Sequence, residues 1–210
     1  MDERIETREM PAHELEVREA AGNAPVISGY AVRFNVWSRT LYDYRGKPFV
    51  ERFAPGAFDA WLRTDPELVA LWNHNADLPL ARRSRGTLRI AIDDVGVRFE
   101  LDPPPNTWGQ DALTAIRRGD VGGMSFLFEA SNDSWGKPGA DGVAQRTVLE
   151  SVLHEISPVT FPAYPATTVA VRSVSVPDFS ESDDQVIDER ERQQALRAVR
   201  LRKLELYRRL

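Results

Sequence analysis

Short runs of apolar residues separated by turn-forming clusters dominate the middle of the chain. Residues 25–34 (PVISGYAVRF) and 49–53 read as extended. Residues 68–72 (LVALW) form a compact apolar run of the kind found in buried strands. Residues 87–92 (TLRIAI) and 97–101 (VRFEL) flank Asp93-Asp94-Val95-Gly96 and make the clearest hairpin in the sequence. Residues 124–129 (MSFLFE) and 147–156 (TVLESVLHEI) are two further strands, separated by a loop rich in Gly, Asp and Asn. Two segments carry a helical pattern instead. Residues 57–63 (AFDAWLR) follow Pro55-Gly56, and residues 109–118 (GQDALTAIRR) follow a break at Pro103-Pro104-Pro105. Asn106 or Thr107 can cap the second helix, and Gly119 supplies its left-handed stop. Strands outnumber helices and the elements are short. The expected fold is therefore α+β and mainly β, a barrel or sandwich with one or two flanking helices.

The ends differ from this body. Residues 1–27 read as a polar leader, residues 28–172 as the folded domain and residues 173–179, with Pro177, as a linker. Residues 180–210 hold seven acids and eight bases without Gly or Pro. Ser182 and Gln185 have capping-box spacing, acids lead and bases trail, and Leu, Arg, Glu and Gln favour helix. A charged helical tail is expected there.

Composition narrows the chemistry. The 210 residues include no Cys, which removes thiol catalysis and cysteine-ligated metal sites. A net charge of −5 argues against a nucleic-acid partner. No apolar run reaches the ~18 residues that span a bilayer, so no membrane partner is expected either. Glycine patterns of the P-loop or dinucleotide type are missing, and no His or carboxylate pair has metal-ligand spacing such as HExxH. Neither cofactor nor metal is expected.

Three histidines remain: His13, His74 and His154. His13 lies in the polar leader. His74 closes the run Leu71-Trp72-Asn73-His74-Asn75, and a period-two reading places it on one face with Ala70 and Trp72. It fits a strand-end histidine bonded to a neighbour, and equally a general base near neutral pH. Ser125 follows Gly122-Gly123-Met124, where glycines let the backbone approach another chain. It faces away from Met124, Phe126 and Phe128, as either a nucleophile or a small residue in a crowded sheet. Glu155 is a carboxylate in a mostly apolar strand, where it must be paired or face a polar cavity. It could orient an imidazole, or be an exposed edge glutamate. His154 beside it points to the opposite face, so only one of the two can join a given site. Serine is a poor nucleophile without a base, and the base works better when a third group fixes its tautomer.

Taken in order, several segments resemble the prohead maturation proteases of tailed bacteriophages. They are Gly29-Tyr30-Ala31-Val32-Arg33-Phe34-Asn35, Phe53-Ala54-Pro55-Gly56-Ala57-Phe58, Trp72-Asn73-His74-Asn75, Gly123-Met124-Ser125-Phe126 and the stretch from Glu155-Ile156-Ser157-Pro158-Val159 through Pro165. That family is similar to the herpesvirus assemblins, which implies a closed or partly closed β-barrel surrounded by helices. The resemblance implies Ser125 as nucleophile, His74 as general base and Glu155 as third member, with His154 as the alternative. An oxyanion donor from the backbone or from an arginine-held water is implied too, and Arg146 is the arginine considered. The implied activity is serine endopeptidase cleavage of the scaffolding segment of the major capsid protein, and of the protease itself, inside the assembling prohead in the host cytoplasm. A homodimer is a possible state. The alternative is a non-catalytic capsid or scaffold component on the same fold.

Overall fold

The computed structural model describes residues 5–11, 14–19, 24–160, 170–171 and 174–179. The chain divides into two units, Met1–Val176 and Pro177–Leu210, and the described strands and helices all lie in the first. The expected tail, residues 180–210, lies outside the described residues.

The described residues form twelve strands and two α-helices in order. They are β1 (Glu6–Pro11), β2 (Glu16–Glu19), β3 (Pro25–Arg33), β4 (Leu41–Asp43), β5 (Pro48–Phe53), α1 (Asp59–Leu62), β6 (Val69–Trp72), β7 (Asn75–Arg82), β8 (Leu88–Ile92), β9 (Gly96–Leu101), α2 (Thr107–Arg118), β10 (Gly123–Gly136), β11 (Ala144–Val159) and β12 (Ala170–Val171). The mainly-β reading holds. Helix α2 begins at its expected cap, where the Asn106 side chain accepts the Gly109 N–H at 3.0 Å. It ends on Gly119 at φ 79°, in the left-handed conformation that glycine adopts without strain.

Among the described strands no closed barrel forms. The described strands form two open sheets, one ordered β1-β10-β11-β5-β4-β12 with β6 and β7 branching from β11, the other ordered β2-β3-β9-β8. A bridge between Phe34 and Phe53 joins them. They meet by side-chain packing instead of ladder closure. Ile27, Val32, Phe99 and Leu101 of one sheet share a buried cluster with Phe53, Met124, Phe126, Phe128 and Ile156 of the other. Trp61 of α1 and Leu113 and Ile116 of α2 complete it. Phe53 stacks on Phe58 and meets Phe126 and Phe128 edge-on, with centroids 5.0–5.6 Å apart.

Two strands govern the rest. β10 and β11 pair antiparallel from Gly123–Val159 out to Gly136–Gln145, so their hairpin is far longer than the sequence pattern suggested. The extension carries polar residues paired across it, such as Asp133 with Arg146 at 2.7 Å. On its other side β11 pairs parallel with β5 over Ala144–Val148 and with β6 at Glu155–Ile156.

The expected polar leader supplies β1 and β2 instead. β1 lies along β10 with Glu6, Arg8 and Met10 opposite Phe128, Phe126 and Met124. Glu6 and Arg8 are buried, in a charged cluster with Glu51 and Arg146. Burial works against the Arg146 charge, but Glu51 and Glu6 more than offset it, and its pKa is raised.

Candidate active site

Strand alternation sets the floor of the site. Met124, Phe126 and Phe128 turn into the core, which leaves Ser125 on the opposite face of β10. Ser125 lies opposite Ser157 of β11, and Leu127 lies opposite Glu155. Glu155 and Ser157 are two residues apart, so both project on the side of Ser125.

The third side chain arrives on a turn. β6 and β7 are joined by Asn73-His74 alone, with Trp72 paired to Asn75. Both linking residues have positive φ, 50° and 59°, the signature of the tight two-residue hairpin. Asn and His are both among the non-glycine residues enriched in that conformation. Three bonds to β11 and the residue after it hold the turn. The Asn73 N–H donates to the Pro158 carbonyl at 3.2 Å, the Thr160 N–H donates to Asn73 Oδ1 at 3.1 Å, and the His74 N–H donates to Ser157 Oγ at 3.0 Å. His74 therefore stands at a hairpin tip, not on a strand face with Ala70 and Trp72 as the period-two reading had it.

So held, the imidazole bridges the sheet. His74 Nε2 lies 2.6 Å from Ser125 Oγ, and Nδ1 lies 2.5 Å from Glu155 Oε2. The remaining carboxylate oxygen, Oε1, accepts the Ser157 hydroxyl. The Glu155 bond raises the His74 pKa above its ordinary value, burial opposes this, and the charges of Glu155 and Glu9 add to the rise. With Nδ1–H directed at Glu155, neutral His74 presents a bare Nε2 to the serine. The Ser125 hydroxyl has a second acceptor, the Arg8 carbonyl oxygen at 3.1 Å.

The other candidates lie elsewhere or are already engaged. His154 projects away from this group, with Nε2 3.9 Å from Glu129 Oε2, so Glu155 is the neighbour of His74. Arg146 is not available to an oxyanion, because Nε is bound to Asp133, Nη1 to Glu6 and Glu51, and Nη2 to Glu6. A Cβ added to Gly122 would meet nothing within 4 Å, so close approach is not why glycine stands there. His13 lies outside the described residues. Sequence reasoning missed Ser157. Its signal was there, because a hydroxyl two positions after Glu155 in a strand must share its face.

Among the described residues, no group of three His, Asp or Glu side chains is placed to hold a metal ion, and no helix is long and apolar enough to cross a membrane. Comparison with curated proteins finds no match, and comparison with solved structures finds none. The family model described as caudovirus prohead serine protease matches residues 13–182, a span that includes Ser125, His74, Glu155 and Ser157. A match over most of the length settles the relationship: this chain belongs to the caudovirus prohead serine protease family.

Proposed function

We propose that this chain is an active serine endopeptidase of capsid maturation, with Ser125 as nucleophile, His74 as general base and Glu155 as the group that orients the base. The observation that carries this reading is the unbroken run Glu155–His74–Ser125, with contacts of 2.5 and 2.6 Å. Serine proteases of prohead maturation form the family, which supports the activity in general terms.

In the proposed reaction His74 Nε2 takes the Ser125 proton as Oγ attacks the scissile carbonyl carbon. The C–N bond breaks as the imidazolium returns that proton to the leaving amine, and an acyl-enzyme remains. Water, deprotonated by His74, then releases the acid and restores the serine. Glu155 holds the Nδ1–H tautomer and stabilises the imidazolium, and Ser157 fixes both the carboxylate and the turn that carries the ring.

The substrates in this reading are the scaffolding segment of the major capsid protein and the protease itself, inside the assembling prohead. Residues 180–210 would serve as a helical extension that docks on capsid or scaffold protein. Co-expression with the capsid protein, unaltered chain against Ser125→Ala, tests the activity. Loss of capsid processing in the variant is expected. Identical processing would leave the non-catalytic assembly component as the reading, and loss of processing with chelator but not with Ser125→Ala would point to a metal-dependent hydrolase.

A further inference from the structure

The nucleophile is sealed. Ser125 has 0 % exposure, while the His74 side chain beside it keeps 29 %. What lies along the serine is β1, paired antiparallel to β10 with Glu9 opposite Ser125 and the Arg8 carbonyl oxygen 3.1 Å from Oγ. An extended segment laid on a sheet edge is also how peptides commonly bind by strand addition. β1 precedes the region that matches the family model, which begins at residue 13.

Its inward side chains are those of a guest. Arg8 Nε and Nη2 bind the two Glu51 oxygens at 2.8 and 3.1 Å, and its guanidinium lies 5.2 Å from the centre of the Phe128 ring. Glu6 binds Arg146 and also Arg8 itself. Without β1, Arg146 would keep Glu51 and Asp133, each at 2.7 Å. The strand adds one acid and one base, so the net charge of the cluster is the same with or without it. A buried ion pair is costly when one partner is stranded, and here neither side strands the other.

We propose that β1 is a resident substrate-like strand, which occupies the edge of β10 where a substrate peptide docks and keeps Ser125 closed until it is displaced. This rests on Ser125 being the nucleophile. The displaced place fits an extended peptide with an acid and a base two residues apart, the base reading Glu51 and contributing the carbonyl nearest Oγ. Glu51 thus becomes the specificity-determining residue for a basic side chain.

The test uses the full chain and a fluorophosphonate that labels active serines, read by intact mass. The doubly reversed variant Glu6→Arg/Arg8→Glu keeps the net charge but sets Arg against Arg146 and Glu against Glu51. It should label at Ser125 at least about tenfold faster than the unaltered chain, the factor given by ~1.4 kcal/mol of lost docking. A free peptide spanning residues 5–11 should protect the variant again, and the same peptide with Arg8→Ala should not. Equal labelling rates, or no protection, would overturn the proposal. In the unaltered chain, labelling should go no faster than amide exchange of residues 6–10 allows, with both rising together in mild urea. Labelling that outruns this opening would overturn the proposal without any variant. Failure of both forms to label, with circular dichroism unchanged, would instead remove Ser125 as nucleophile.

Discussion

Ser125 and Ser157 face each other across the β10–β11 pair, and their hydroxyls serve opposite ends of one histidine. Ser125 meets the ring at Nε2, while Ser157 accepts the His74 backbone N–H and donates to the carboxylate that holds Nδ1. One side chain thus fixes where the ring stands and which way it turns.

Ser157→Ala should therefore lower kcat with little effect on KM. The loss of a hydrogen bond to a charged group, about 1.5–3 kcal/mol, corresponds to roughly 10- to 100-fold. Steady-state kinetics on a cleavable peptide checks this, and a change confined to KM would contradict it.

Glu155→Gln should be more severe. Loss of the orienting carboxylate in such relays costs about 10⁴ in kcat, because the histidine adopts the wrong tautomer. The fold should survive, as judged by unchanged circular dichroism, because Gln still fills the space and can accept from Ser157.

Activity requires neutral His74, whose pKa is raised chiefly by the Glu155 bond. The acid limb of kcat/KM should lie above the ~6.5 of a free imidazole. Any residual activity of Glu155→Gln should show this limb moved to lower pH. Stability has the opposite sense. The folded state holds the His74 proton more tightly than the unfolded chain, so this contribution is complete below ~6.5 and is lost as pH rises through the folded pKa. Thermal unfolding of the unaltered chain and of His74→Gln across that window should converge as pH rises.

Arg146 binds three carboxylates and is itself buried. Arg146→Met leaves Glu6, Glu51 and Asp133 with Arg8 alone and should destabilise the fold by about 3–5 kcal/mol in urea titration. Cleavage by whatever fraction stays folded should keep its pH limb, because the guanidinium does not touch the relay.

Asn73→Val places a β-branched residue at φ 50°. That conformation costs an L-residue about 1–2 kcal/mol, and the Thr160 N–H loses its acceptor. Both the melting temperature and kcat should fall. Asn73→Gly should preserve stability better while still losing the Thr160 bond.

The sequence made the elements with ordinary patterns legible, namely β8–β9 with its turn, α2 with its cap and stop, and the core face of β10. It concealed β1 because the strand inverts the usual rule. Glu6 and Arg8 point inward, and their partners, Arg146 for Glu6 and Glu51 for Arg8, lie 140 and 43 residues away, so no local alternation betrays it. The open sheets were likewise illegible, since strand count and period do not fix whether edges meet. For the site, the family resemblance singled out Ser125, His74 and Glu155, and the face rule showed that only one of Glu155 and His154 could join them. The positive φ at His74 was beyond reach, because a strand and a two-residue turn read alike over four residues.

That turn leaves no slack. One residue inserted between Trp72 and Asn75 would add about 3.3 Å of chain. This exceeds the 2.6 Å that now separates ring nitrogen from hydroxyl. Loop-grafting or domain-insertion schemes for this scaffold should therefore treat the β6–β7 tip as a fixed-length joint and place their cargo elsewhere.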